Sequence, residues 1–404
     1  MRKLLIFLFG QYTLPLGARL AASNNNTDFQ SPKSFIIYNS QLIIFSRCLR
    51  YFATHNREKI LQRRLTLLFI LLVLNSFAQA QLGGQTVFNS FNVASSARVA
   101  ALGGSFFAVK DGDIHLAQVN PSLLDSTLSE KLGFSYVDYF DGINMGYASY
   151  ARTVKSNLTT AATMQFSSYG KQTEYDPLGY EIGDFYAADY ALILGAGYQY
   201  DSLWSIGANL KTIYSTFANY SSLAVALDAS ATYANRAKKF TASLVMRNLG
   251  AQVKTYTADT REKLPFEFQI GITKQPAHAP FRLSLVYENM QQWDLTYANP
   301  NAIVITDPIT GEPVGDNKWE FGDRMMRHLI FGTEFLLSEN MHIRIGYNYR
   351  RRQELKISDK PGTAGLSFGL GIKVSRFHLS YGRAVYHLAG PSNTFSLTTN
   401  LSQW

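Results

Sequence analysis

Met341-His342-Ile343-Arg344-Ile345-Gly346-Tyr347-Asn348-Tyr349-Arg350 alternates without a break. Met, Ile, Ile, Tyr and Tyr fall on one side, and His, Arg, Gly, Asn and Arg on the other. A period of two means extended backbone, because successive side chains of a strand point to opposite faces. Similar runs recur to the end of the chain. Trp204, Ile206, Ala208 and Leu210 oppose Ser205, Gly207, Asn209 and Lys211, and Phe240, Ala242, Leu244 and Met246 oppose Thr241, Ser243, Val245 and Arg247. Fourteen strands are predicted: 132–140, 143–153, 158–169, 185–200, 204–217, 221–235, 239–250, 264–274, 281–291, 326–337, 341–351, 363–374, 376–386 and 394–403.

Most of these strands have the ~9–11 residues that suffice to cross a bilayer when tilted, whereas strands of a soluble sandwich average ~5–6. The connections sort by length. Those after even-numbered strands are short (154–157, 201–203, 236–238, 275–280, 338–340 and Ser375). Several after odd-numbered strands are long (170–184, 251–263, 292–325 and 352–362), although 141–142 and 218–220 are short. Short turns on one side and longer loops on the other are the pattern of a transmembrane β-barrel. An even count puts both barrel ends on one side, the periplasmic side for an exported chain. The expected fold is therefore an all-β, 14-stranded antiparallel transmembrane barrel over 131–404.

Composition agrees. Charged residues are 17% of the 404 and aromatics 14%, against ~25% charged in soluble proteins. The net charge of +9 does not mark a nucleic-acid surface. Residues 1–80 hold 10 Lys or Arg and 2 Asp or Glu, which leaves 28 basic and 27 acidic residues downstream. The single cysteine, Cys48, also lies upstream, so 81–404 carries no disulfide, thiol nucleophile or Cys metal site.

Lys59-Ile60-Leu61-Gln62-Arg63-Arg64, the apolar run Leu65 to Leu74, and Ala78-Gln79-Ala80 form a signal peptide over 59–80, with cleavage expected between Ala80 and Gln81. Residues 1–58 read as an upstream extension from a misassigned start codon. Residues 81–130 do not alternate. The small residues from Ala94 to Gly104 predict a short helix ended by the Gly103-Gly104 pair. Fifty residues of this kind ahead of a barrel predict a plug, or hatch, folded inside it.

Groups for bond chemistry are sparse. His115, His278, His328, His342, His378 and His387 show no metal-binding spacing. A Ser-His pair near His378 and His387 sketches an outer-membrane lipase, but no GxSxG motif accompanies it. Asp111-Gly112-Asp113 lacks the remainder of a calcium loop and reads as a turn. No enzyme activity and no cofactor is expected. On the 292–325 loop, Tyr297, Trp319 and Phe321 are candidate aromatic contacts for a protein partner.

Ser95-Ser96-Ala97-Arg98-Val99-Ala100-Ala101-Leu102-Gly103-Gly104, the turn at Asp111, and Asn120-Pro121-Ser122-Leu123-Leu124 resemble the hatch of FadL-type outer-membrane barrels. Arg98, Gly103, Gly104, Asp111, Asn120 and Pro121 carry that likeness. Phe134-Ser135-Tyr136-Val137-Asp138-Tyr139-Phe140, Ser205-Ile206-Gly207-Ala208-Asn209-Leu210-Lys211, Arg247-Asn248-Leu249-Gly250 and Trp293-Asp294-Leu295-Thr296-Tyr297 narrow it to the PorV/PorQ family of the Bacteroidetes type IX secretion system. The likeness covers most of 86–300. It implies a non-enzymatic barrel integral to the outer membrane that holds a PorZ-like surface partner of the PorU/PorV attachment complex. The alternative it implies is a FadL-like channel for hydrophobic small molecules.

Overall fold

The computed structural model describes residues 86–257, 261–296, 320–355, 362–387 and 390–403. The expectations placed on 1–58, on the signal peptide at 59–80, on the Ala80/Gln81 cleavage site and on Tyr297 and Trp319 lie outside those residues. Fourteen antiparallel strands close into one barrel, each paired with its sequence neighbours and β1 with β14. In chain order they are β1 Lys131–Asp138, β2 Asn144–Lys155, β3 Leu158–Tyr175, β4 Glu181–Gln199, β5 Trp204–Phe217, β6 Tyr220–Asn235 and β7 Phe240–Lys254. They continue as β8 Glu267–Lys274, β9 Phe281–Tyr287, β10 Leu329–Ser338, β11 Met341–Asn348, β12 Leu366–Val374, β13 Phe377–His387 and β14 Gly390–Asn400.

The wall is inverted relative to a soluble protein. Along β5, Ile206, Leu210 and Tyr214 are 44–52% exposed, while Asn209 and Lys211 are 1% and 2% exposed. Apolar side chains face outward and polar ones face the lumen, which is the arrangement a bilayer selects. The face assignment read from residues 341–348 holds, with Ile343 and Ile345 outward and Arg344 buried inside. Trp204 and Tyr233 meet edge-on at 5.1 Å near the end carrying both barrel termini, an interfacial place where ring edges meet water. That end, bearing Lys131 and Asn400, is called inner below, and the opposite end outer.

The structure moves several boundaries. The expected loop 170–184 is mostly a hairpin, since β3 and β4 stay paired from Lys171↔Tyr186 to Tyr175↔Glu181. Once a hairpin rises past lipid it needs no apolar face, so its amphipathic period disappears while the ladder continues. The strand expected over 341–351 stops at Asn348, and Tyr349–Leu355 is a helix. Further extension would have put Arg351 on the lipid-facing side, a costly position for a guanidinium. The strands expected to reach 291, and to begin at 264, 326 and 363, are likewise shorter, at 287, 267, 329 and 366.

Candidate functional site

Residues 86–130 pack against the inward side chains of the wall. A five-residue helix, Ala97–Ala101, forms where the small residues predict it. Ser96 caps its start by accepting from the Val99 N–H. Gly103 and Gly104 follow with φ of +94° and +97°, the left-handed backbone that ends helices. Small residues are required here because the helix lies directly on the wall. A Cβ on Gly382 would fall 2.2 Å from the Ala97 carbonyl oxygen, and one on Gly346 would fall 2.2 Å from the Gly103 nitrogen. Both contacts are with backbone, which cannot step aside.

The inner half of the lumen is held by charge. Arg98 reaches Asp111 (2.8 Å), Asp113 (3.2 Å) and Glu334 of β10 (2.8 Å). Arg282 of β9 lies 2.8 Å from both Asp111 and Glu334, and Arg344 of β11 lies 3.0 Å from Glu334. Three guanidiniums thus meet three carboxylates, with the segment contributing net −1 and the wall net +1. Burial pushes the Asp111 carboxyl up, but Arg98 and Arg282 outweigh it and hold it well below the usual carboxylate range. Burial likewise pulls down on Arg98, and Asp111, Glu334 and Asp113 reverse that.

A second, uncharged lock lies against β6 and β7. The Asn120 amide donates to the Phe107 carbonyl (2.9 Å) and the Thr232 hydroxyl (3.1 Å), and its oxygen accepts from the Ser122 N–H and hydroxyl. Thr232 continues the chain to Ser243 (2.7 Å). Pro121 starts the turn, and its carbonyl carbon lies 2.3 Å from where a Cβ on Gly207 would stand. His115 is buried between Ser135 (3.2 Å) and Thr398 (3.1 Å), and burial pulls its imidazole below the ordinary value.

In the outer half the wall changes character. Ala191 and Ile193 of β4, Ile213 of β5, and Ala224 and Ala226 of β6 turn apolar side chains inward, and Leu264 completes an apolar seat. Phe88 and Phe91 fill it, their rings edge-on at 6.5 Å. Phe88 takes φ +59°, a strained conformation for an aromatic residue. Polar contacts here are few. Ser90 donates to Asp189 (2.7 Å), Arg247 donates to the Phe91 carbonyl (2.9 Å), and the Val87 N–H donates to Lys263 (3.1 Å).

The six hatch residues named from sequence therefore divide. Arg98 and Asp111 meet in the charge network, Gly103 lies against β10 and β11, Gly104 faces Arg351 of the Tyr349–Leu355 helix, and Asn120 with Pro121 forms the separate lock. The wall partners Glu334, Arg282 and Arg344 were not singled out. Their signal was present as lone charged residues on the inward faces of β9, β10 and β11. Of the proposed partner contacts, Phe321 is described, 69% exposed and 5.4 Å from Trp293 at the outer rim. Among the described residues no cluster of three or more His, Cys, Asp or Glu could hold a metal ion.

No family model and no curated protein matches the chain. Solved structures do resemble it. The Ralstonia pickettii toluene transporter TbuX is 10% identical with a TM-score of 0.48, covering 77% of this chain and 99% of that one. The Pseudomonas putida toluene transporter TodX is 12% identical with a TM-score of 0.44, covering 76% and 96%. A Pseudomonas aeruginosa FadL homologue is 10% identical with a TM-score of 0.42, covering 76% and 98%. The barrel itself is established by its strand pairing.

Proposed function

We propose that this protein is an integral outer-membrane barrel that passes small apolar molecules, with residues 86–130 as its hatch. One observation carries the reading: around Phe88 and Phe91 the lumenal wall presents a continuous apolar seat of Ile193, Ile213, Ala224, Ala226 and Leu264. A lumen for ions or sugars gains nothing from such a seat, whereas an apolar solute gains ~25 cal/mol per Å² buried there. The test uses cells with an intact lipopolysaccharide leaflet and labelled toluene as probe. Deleting the gene should slow uptake several-fold. Equal rates with and without the barrel sink the reading.

A second reading rests on the outer rim, where Trp293, Phe321 and Met325 are 42–69% exposed. Together with the sequence likeness to PorV/PorQ barrels, this aromatic surface supports a non-enzymatic anchor for a PorZ-like protein of the PorU/PorV complex. A photo-crosslinker at Phe321 in native membranes should then capture that protein. Normal cargo attachment in a deletion strain overturns this reading.

A further inference from the structure

At the outer end, β3 and β4 run on as a two-stranded ribbon after their neighbours stop. The last pair of β2 with β3 is Asn144↔Ser168, and that of β5 with β4 is Phe217↔Ala187, while β3 and β4 stay paired to Tyr175↔Glu181. Both ribbon edges are therefore without a partner strand among the described residues. In an antiparallel ladder every second residue aims its N–H and C=O away from its partner. The 181–185 edge thus offers a row of donors and acceptors to another chain.

The side chains of the ribbon point the same way. Tyr175, Leu178, Tyr180, Ile182 and Tyr186 are 60–82% exposed, where lipid no longer calls for apolar residues. A patch of this kind marks a surface that something covers. Charge narrows what that is. Across 171–186 one lysine stands against four carboxylates. Lys171 pairs with Asp184 at 2.7 Å, and Glu174, Asp176 and Glu181 meet no cation among the described residues. A second copy of the ribbon would bring like charges together, and so would phosphate-bearing lipid head groups. Acidic side chains can guard an edge against aggregation, but a guard needs no exposed Tyr, Leu and Ile beside it.

We propose that the ribbon docks an extended, basic segment of a surface protein, which adds as a strand to the 181–185 edge. That edge holds two carboxylates and no Lys or Arg. Gly183 leaves the approach open, since a Cβ there would meet nothing within 4 Å. Below the edge, the exposed Phe217 and Tyr220 of the β5–β6 turn form an apolar floor, with the Phe217 ring 5.0 Å from Phe185. Main-chain hydrogen bonds hold the segment, Tyr180 and Ile182 pack its apolar side chains, and the carboxylates select its Lys or Arg. Trp293 and Phe321 lie between β9 and β10, on another sector of the rim. The docking edge depends on neither reading of the protein's function.

The test uses the full barrel in a neutral detergent, with a short synthetic peptide of alternating Lys and Val as probe. The peptide should bind, and Glu174→Gln with Glu181→Gln and Asp184→Asn should weaken it about ten-fold or more. The same peptide N-methylated along one edge keeps its charge but cannot donate to the ladder, and it should also bind about ten-fold more weakly or worse. No binding by the parent barrel, or equal binding of the N-methylated peptide, overturns the proposal. Should the triple variant fail to fold, the two peptides still decide. A lipid surface is the rival occupant. With Cys48→Ser in place, a nitroxide on Leu178→Cys in lipopolysaccharide-containing vesicles should be reached by an aqueous nickel chelate. Access by oxygen alone places the ribbon tip in lipid and overturns docking.

Discussion

The two halves of the lumen hold the same segment by different means. In the inner half, Arg98 is fixed among five charged groups and the Ala97–Ala101 helix touches wall backbone at glycines. In the outer half, residues 86–93 rest on two aromatic rings, a strained Phe88 and a few hydrogen bonds. Charge networks and backbone contacts tolerate little displacement, because a buried charge without its partner is expensive. An apolar seat resists less, since another apolar group can take the place of the one that leaves. The difference predicts where such a lumen yields: the outer half should move first, and the inner half should be the part that shuts the barrel.

That contrast can be broken from either side. Arg98→Ala should have the largest effect, about 3–5 kcal/mol of lost segment stability, because it leaves Asp111, Asp113 and Glu334 with only Arg282 and Arg344, one buried carboxylate uncompensated. Amide exchange at Ala100, whose N–H donates to Ser96 at 2.9 Å, would report it. Gly382→Val should cost about 1–3 kcal/mol by pressing on the Ala97 carbonyl, with the same amide as readout. Phe91→Leu should cost about 1 kcal/mol, and faster exchange should be confined to residues 87–93. Equal acceleration at Ala100 would mean the halves are not separable.

The smallest effect at neutral pH concerns Asp111. Its folded-state value lies below the unfolded one, so its contribution is complete above the unfolded carboxylate range and is lost as pH falls through the folded value. Protection of Ala100 should therefore decline in acid, and Asp111→Asn should flatten that decline. Protection that stays constant into strong acid would contradict the role given to the carboxylate.

The barrel was legible because lipid on one face and a lumen on the other impose a strict period of two. All fourteen strands were found for that reason, from β1 to β14. Legibility failed where the constraint ended. The hairpin above Ser168 kept its pairing without an apolar face, and the helices at Glu320–Arg327 and Tyr349–Leu355 sit beyond the lipid. The site was half legible. Arg98, the glycine pair and Asn120-Pro121 stood out as a motif, but which wall charge meets Arg98 depends on contacts 236 residues apart. No local pattern encodes such a pairing.

The claim that the inner half shuts the lumen is tested most directly by single-channel conductance in planar bilayers. Wild-type barrels should be nearly silent, and Arg98→Ala should give frequent openings while Phe91→Leu stays close to wild type. Steady, large conductance from the wild-type protein, or silence from Arg98→Ala, would contradict the account.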